Sequence, residues 1–129
     1  MAVLLAYDVK HHSESVLDYA IGYVLAYRTQ LYIMSSVTSK GALDGGRELE
    51  AVKASLENAK RKAADMGVET FTLIGAGPPA EEILAAAERV DAEAIIVGRS
   101  HKTAIDRIFT GAVSEHVLRH TGRTVIFVR

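Results

Sequence analysis

The sequence predicts an α/β domain built on an open, doubly wound, five-stranded parallel sheet with helices on both faces. Three observations carry this expectation. Strand-like stretches at 2–7, 31–34, 68–74, 94–97 and 124–128 are separated by stretches of helical periodicity, the alternation that right-handed crossovers between parallel strands require. The runs 2–7 and 94–97 continue without polar interruption, as strands covered on both faces do. Five strands are too few for an eight-stranded barrel, so the sheet is open and its binding crevice lies beyond the carboxyl ends of the strands, where strand order reverses. A chain of 129 residues suits one core, and we expect a single domain over 1–129.

The first strand, 2–7, ends at Asp8. Ser13 is placed to cap a helix running to about residue 26, in which Val16, Leu17, Ala20, Ile21 and Val24 return on one face. The second strand centres on 31–34. Gly41, Gly45 and Gly46 mark a loop over 38–46, before a long helix from about 47 to 66 that Gly67 terminates. The third strand follows at 68–74, and Gly75 to Gly77 forms a tight loop. Pro78 and Pro79 suit the first turn of a helix that carries Ile83, Leu84 and Ala87 inward. Residues 91–93 close that segment, 94–97 form the fourth strand, a helix after Gly111 bears Val113, Val117 and Leu118, and 124–128 form the fifth strand.

Composition narrows the function. Apolar residues make up 49% of the chain, and 15 Lys plus Arg nearly balance 16 Asp plus Glu. Disorder and polyanion binding therefore find no support, and no nucleic-acid partner is expected. The chain contains no cysteine, which excludes thiol catalysis, disulfides and thiolate metal sites. The opening run lacks a basic leader and no apolar run approaches membrane-spanning length, so no membrane association and a cytoplasmic location are expected.

The loop from Gly98 through Arg99, Ser100, His101, Lys102 and Thr103, with the later Gly111-Ala112-Val113-Ser114, joins a buried strand to a helix start. A small α/β protein holds an anion or nucleotide at such a place. It is no Walker loop, because His101 stands where a glycine must precede the lysine. No Gly-x-Ser-x-Gly elbow surrounds any serine. His116 and His120 lie one helical turn apart, but no third ligand accompanies them, so they read as a solvated face and no metal site is expected. No complete nucleophile, base or metal set appears, and no catalytic residue is assigned.

The segments Pro79-Ala80-Glu81-Glu82-Ile83-Leu84, Asp91-Ala92-Glu93-Ala94-Ile95-Ile96-Val97-Gly98 and Gly111-Ala112-Val113-Ser114-Glu115-His116-Val117 resemble the universal stress protein family over nearly the whole chain. The resemblance implies the strand order 3-2-1-4-5 and homodimerisation through residues 124–129. It also implies a site for ATP or AMP, with magnesium if ATP. In nucleotide-binding members the pattern is Gly, two residues, Gly, nine residues, Gly, then Ser or Thr. Gly98 and Gly111 match it, whereas His101 replaces the second glycine and Ala112 the hydroxyl residue. His101 adds bulk to a phosphate loop, and Ala112 keeps its backbone N–H but supplies no hydroxyl. Ser114 stands near enough in sequence to compensate. Asp8 matches the family aspartate that accepts from an adenine amine or ribose hydroxyl, and Val37 matches the position where backbone atoms hold the adenine edge. The expected site is thus Asp8, Val37, Gly98, His101, Gly111, Ala112, Val113 and Ser114. The expected function is a stress-associated regulatory protein that binds an adenine nucleotide without rapid turnover. The alternative is a nucleotide-independent dimeric interaction module that acts on protein clients.

Overall fold

A computed structural model of the chain describes residues 1–8, 14–38, 46–98, 113 and 115–128. Its elements are β1 (Ala2–Ala6), α1 (Glu14–Tyr27), β2 (Gln30–Val37), α2 (Arg47–Asp65), β3 (Thr70–Ala76), α3 (Pro79–Val90), β4 (Ala92–Gly98) and β5 (Thr124–Val128). Residues 115–120 are also helical. The strands form one sheet in the order β3-β2-β1-β4-β5, and every neighbouring pair is parallel.

Period-two alternation sorts the central strands onto two faces. Val3, Leu5 and Tyr7 of the β1 segment join Val16, Leu17, Ala20, Ile21 and Val24 of α1 and Val52, Leu56, Ala59 and Ala63 of α2 in one core cluster. Leu4 turns to the opposite face, with Met34, Ile95 and Val97, beneath Ile83, Ala86 and Ala87 of α3 and Val117. Both faces are therefore covered, which is why 2–6 and 94–97 read as unbroken apolar runs. Each fully buried Leu or Ile contributes about 1.5–3 kcal/mol.

The helix ends follow the expected chemistry. Gly67, at φ 83°, carries the chain out of α2, and Pro79 occupies the first turn of α3. Asp91 closes α3 in a left-handed conformation, its N–H directed at the Ala87 and Glu88 carbonyls. Ser13, the expected cap of α1, lies outside the described residues.

Two boundaries differ from the sequence expectation. β3 runs from Thr70 to Ala76 rather than over 68–74, because Val68 still belongs to the exit turn of α2: its N–H donates to the Ala63 carbonyl at 3.1 Å. β4 begins at Ala92, immediately after the single-residue Asp91 turn. In the last helical segment Val117 is fully buried whereas Leu118 is 52% exposed; Val113 and Val117, four residues apart, share the inward face.

Candidate functional site

The parallel register brings the carboxyl ends of β1, β2 and β4 together. Ala6 stands opposite Met34 on one side and Val97 on the other, and the Tyr7 N–H donates to the Met34 carbonyl at 2.8 Å. Asp8, the next residue, is exposed, and Gly98 ends β4. Chain order reverses between β1 and β4, so this end of the sheet is the crevice that an open α/β fold offers a ligand.

Hydrogen-bond parity along β2 decides which backbone groups face that crevice. The Gln30 N–H donates to Met1, and Met34 accepts from Tyr7, so these even-numbered residues face β1. The Leu31 N–H donates to Glu69, and the Val37 carbonyl accepts from the Gly77 N–H at 3.0 Å, so odd-numbered residues face β3. Val37 therefore points its carbonyl away from β1, and its side chain is 2% exposed, within the core. The groups on the β1 side at this level are the Ser36 carbonyl and the Thr38 N–H.

Thr38 is held by a carboxylate from another element. Its N–H donates to Glu48 Oε1 at 3.0 Å and its hydroxyl to Glu48 Oε2 at 2.9 Å. Glu48 sits in the first turn of α2, where the helix dipole favours a negative charge. Sequence reading missed Ser36, Thr38 and Glu48. The available signal was a threonine just after a strand and an acid opening the next helix, but 10 residues of sequence separate the two.

Gly98 packs against α1: a Cβ built there would lie 2.8 Å from Val16 Cγ2. Val113 is half-buried and packs against the second core cluster. His101, Gly111, Ala112 and Ser114, with Arg99, Ser100, Lys102 and Thr103, lie outside the described residues.

Behind Asp8, a charged cluster ties α1 to α2. Lys62 Nζ lies 2.9 Å from Glu14 Oε2 and 2.9 Å from Asp18 Oδ1. Hydrogen bonds that Lys62 donates to Glu14 and then to Asp18 raise its pKa against the opposing effect of desolvation. Burial, and then the Glu14 charge, raise the pKa of Tyr7, with Lys62 partly offsetting them. A groove of about 540 Å³ also lies between α1 and α2, but it is lined by helix residues such as Ile21, Leu25, Lys62 and Met66 and includes none of the strand-end groups.

No cluster of three or more metal-ligating side chains exists among the described residues. The His116 and His120 rings stack with centroids 4.2 Å apart. His120 Nδ1 lies 2.8 Å from the His116 carbonyl oxygen, which engages one ring nitrogen locally. Among the described residues no helix is long and apolar enough to cross a membrane.

The whole chain, residues 1–129, matches the Universal stress protein family. Universal stress protein MJ0577 of Methanocaldococcus jannaschii is 34% identical over 80 residues, covering 62% of this chain and 49% of that protein. The aligned stretch thus spans about half the length of the curated relatives it matches. Among solved structures, a universal stress protein from Archaeoglobus fulgidus superposes with a TM-score of 0.83 at 23% identity, covering 100% of this chain and 98% of that one. A structure from the same organism in complex with dAMP gives 0.79 at 23% identity, again covering 100% and 98%.

Proposed function

We propose that this chain, which belongs to the universal stress protein family, is a cytoplasmic stress-associated regulatory protein that holds an adenine nucleotide at the carboxyl ends of β1, β2 and β4 without rapid turnover. The observation that carries the reading is the exposed Asp8 carboxylate at the point where strand order reverses. A carboxylate there accepts from an adenine amine or a ribose hydroxyl. The β2 end at Val37 supplies the base edge through the carbonyl of Ser36, its neighbour on the β1 side. Gly98, His101, Gly111, Ala112, Val113 and Ser114 form the phosphate side, with backbone N–H groups at a helix start as the anion-binding element. The ligand is ATP or AMP, with magnesium if ATP. The dAMP complex of a protein with this fold supports the ligand class.

The functional unit is a single domain that pairs with a second copy through β5. Among the described strands it has one neighbour, β4, and Phe127 is 42% exposed. The same exposed edge, together with Leu118, favours a second reading: a dimeric interaction module for protein clients in which His101 fills the space of a phosphate.

Calorimetric titration of nucleotide-free protein with ATP, ADP and AMP, with and without magnesium, separates the two. Under the nucleotide reading the wild type binds, and Asp8→Ala weakens binding roughly tenfold or more, the loss of a charge-assisted hydrogen bond. Binding by a His101→Gly, Ala112→Ser variant but not by the wild type favours the interaction module with a lost site. Absence of binding in both, with the proteins folded and dimeric, rejects the crevice.

A further inference from the structure

We infer that the groove between α1 and α2 is a docking site for an amphipathic helix of a partner protein, one that seats an apolar side chain over Gly22 and carries opposite charges one turn apart for Arg61 and Asp65. The groove includes none of the strand-end groups, so the inference goes beyond the nucleotide reading and does not depend on it.

α1 is the unusual wall. From Tyr19 to Tyr27 it carries no charged side chain, and a helix that is apolar all round is ordinarily buried. Here its inner face meets the core, yet Tyr19, Leu25 and Tyr27 are 46%, 44% and 67% exposed. Leu25 lines the groove with Ile21, and Met66, the C-cap of α2 and 57% exposed, lines the other wall.

Gly22 lies among these residues in the middle of α1, where glycine is less stable than alanine. Nothing among the described residues demands it. A Cβ built there would meet nothing within 4 Å, and its φ is not positive. Its effect is to leave a notch in a groove of about 540 Å³.

Shape and charge select the occupant. The lining runs from Asp18 to Leu25 on one wall and from Asn58 to Met66 on the other, about two turns or about 10–12 Å of each helix. Such a channel suits a rod with apolar anchors one turn apart. On the rim, Lys62 is taken by Glu14 and Asp18. Among the described residues the Arg61 and Asp65 side chains make no ion pair or hydrogen bond, although they stand one turn apart. A cation and an anion at that spacing match an acid and a base one turn apart on the occupant. An anionic lipid surface would satisfy Arg61 and oppose Asp65. The exposed face of α1 in a second copy would leave both unpaired, because it carries no charge after Asp18.

The test titrates the full chain into three labelled helical peptides of about 15 residues and reads fluorescence anisotropy. All three share leucine at i, i+3, i+4 and i+7. They differ at one flanking i, i+4 pair, which is Glu with Lys, Glu with Glu, or Lys with Lys. The wild type is expected to bind the mixed peptide about threefold more tightly than either uniform one, the modest scale of exposed ion pairs. Arg61→Glu should move the preference to the Lys peptide, and Asp65→Lys should move it to the Glu peptide. Gly22→Leu fills the notch and should weaken all three by about tenfold or more. Its melting temperature should stay at or above that of the wild type, because a Cβ there meets no neighbour and leucine favours a helix over glycine. Gly22→Ala gives a smaller loss and carries the comparison if the leucine variant does not fold. The proposal is overturned by a wild type that binds no peptide at about 1 mM, by a folded Gly22→Leu protein that binds as the wild type does, or by one preference common to all variants. It is equally overturned if the wild type associates beyond two chains, or binds phosphatidylglycerol vesicles, and Gly22→Leu abolishes that behaviour, which would assign the groove to a second copy or to a membrane.

Discussion

The Cβ that Gly98 lacks would stand 2.8 Å from Cγ2 of Val16, so the last residue of β4 and the first turn of α1 approach as closely as they do only because one of them has no side chain. Packing thus demands a glycine here whether or not a ligand does. Gly98→Ala is expected to destabilise the fold by about 1–3 kcal/mol through overpacking. Val16→Ala in the same chain should recover most of that loss beyond its own cost. Urea denaturation of the two single variants and the double variant measures the coupling; strictly additive losses would show that the pair does not constrain each other.

A second glycine pair separates two physical causes. A Cβ on Gly75 would meet Glu82 Cβ and Oε2 at 2.9 Å, and one on Gly77 would meet Glu82 Oε1 at 2.7 Å. Gly77 alone also has a positive φ, 148°, a conformation that side chains resist. Gly75→Ala and Gly77→Ala should both lower the melting temperature. Adding Glu82→Ala should relieve part of the Gly75→Ala loss by removing Oε2, yet leave Gly77→Ala strained in its backbone. Equal rescue at both positions would remove backbone conformation as the difference between them.

The same contrast explains what was legible in the sequence. Runs such as 2–6 and 94–97 announce themselves because both faces are covered and every side chain is apolar. Val68 misled the β3 boundary for a related reason: it is apolar and buried, but as the exit of α2 and not as strand. At Ser35-Ser36-Val37-Thr38 the letters place the strand end, whereas the direction of each carbonyl depends on a parity that no side chain encodes, and a one-residue shift reverses it. Glu48 stayed hidden because its partner Thr38 stands 10 residues earlier and their contact is a tertiary event. The places of Asp8 and Gly98 at strand ends were legible because an apolar run stops at each.

Alkaline pH should weaken the fold in a defined way. Lys62 and Tyr7 both have folded-state pKa values raised above the ordinary 10.5 and 10.0. Their contributions are therefore complete below those ordinary values and disappear as pH rises through the raised ones. The melting temperature is expected to show no pH dependence from this pair between about pH 7 and 9 and to fall above about pH 10. A Lys62→Met, Tyr7→Phe double variant should show a shallower alkaline decline. If its decline matches that of the wild type, the cluster behind Asp8 is not coupled to folding.

The two edges of the sheet make opposite predictions about self-association. β5 is an uncharged five-residue edge, Thr124–Val128, with Ile126 and Val128 turned to one core cluster and Val125 to the other. Among the described strands it is an edge, which offers its outer backbone groups to a second copy, and Phe127 is 42% exposed. β3, the other edge, stacks its exposed Phe71 on Tyr32 within the chain, centroids 5.0 Å apart. Light scattering at micromolar concentration should give the mass of two chains for the wild type. Phe127→Glu should shift the mass toward one chain, because a two-fold axis brings the introduced charge close to its own copy, whereas Phe71→Glu should leave the dimer intact. A monomeric wild type would remove β5 as the interface. A dimer broken by Phe71→Glu and not by Phe127→Glu would move the interface to the β3 edge, and the client-binding surface would then have to be sought at β5.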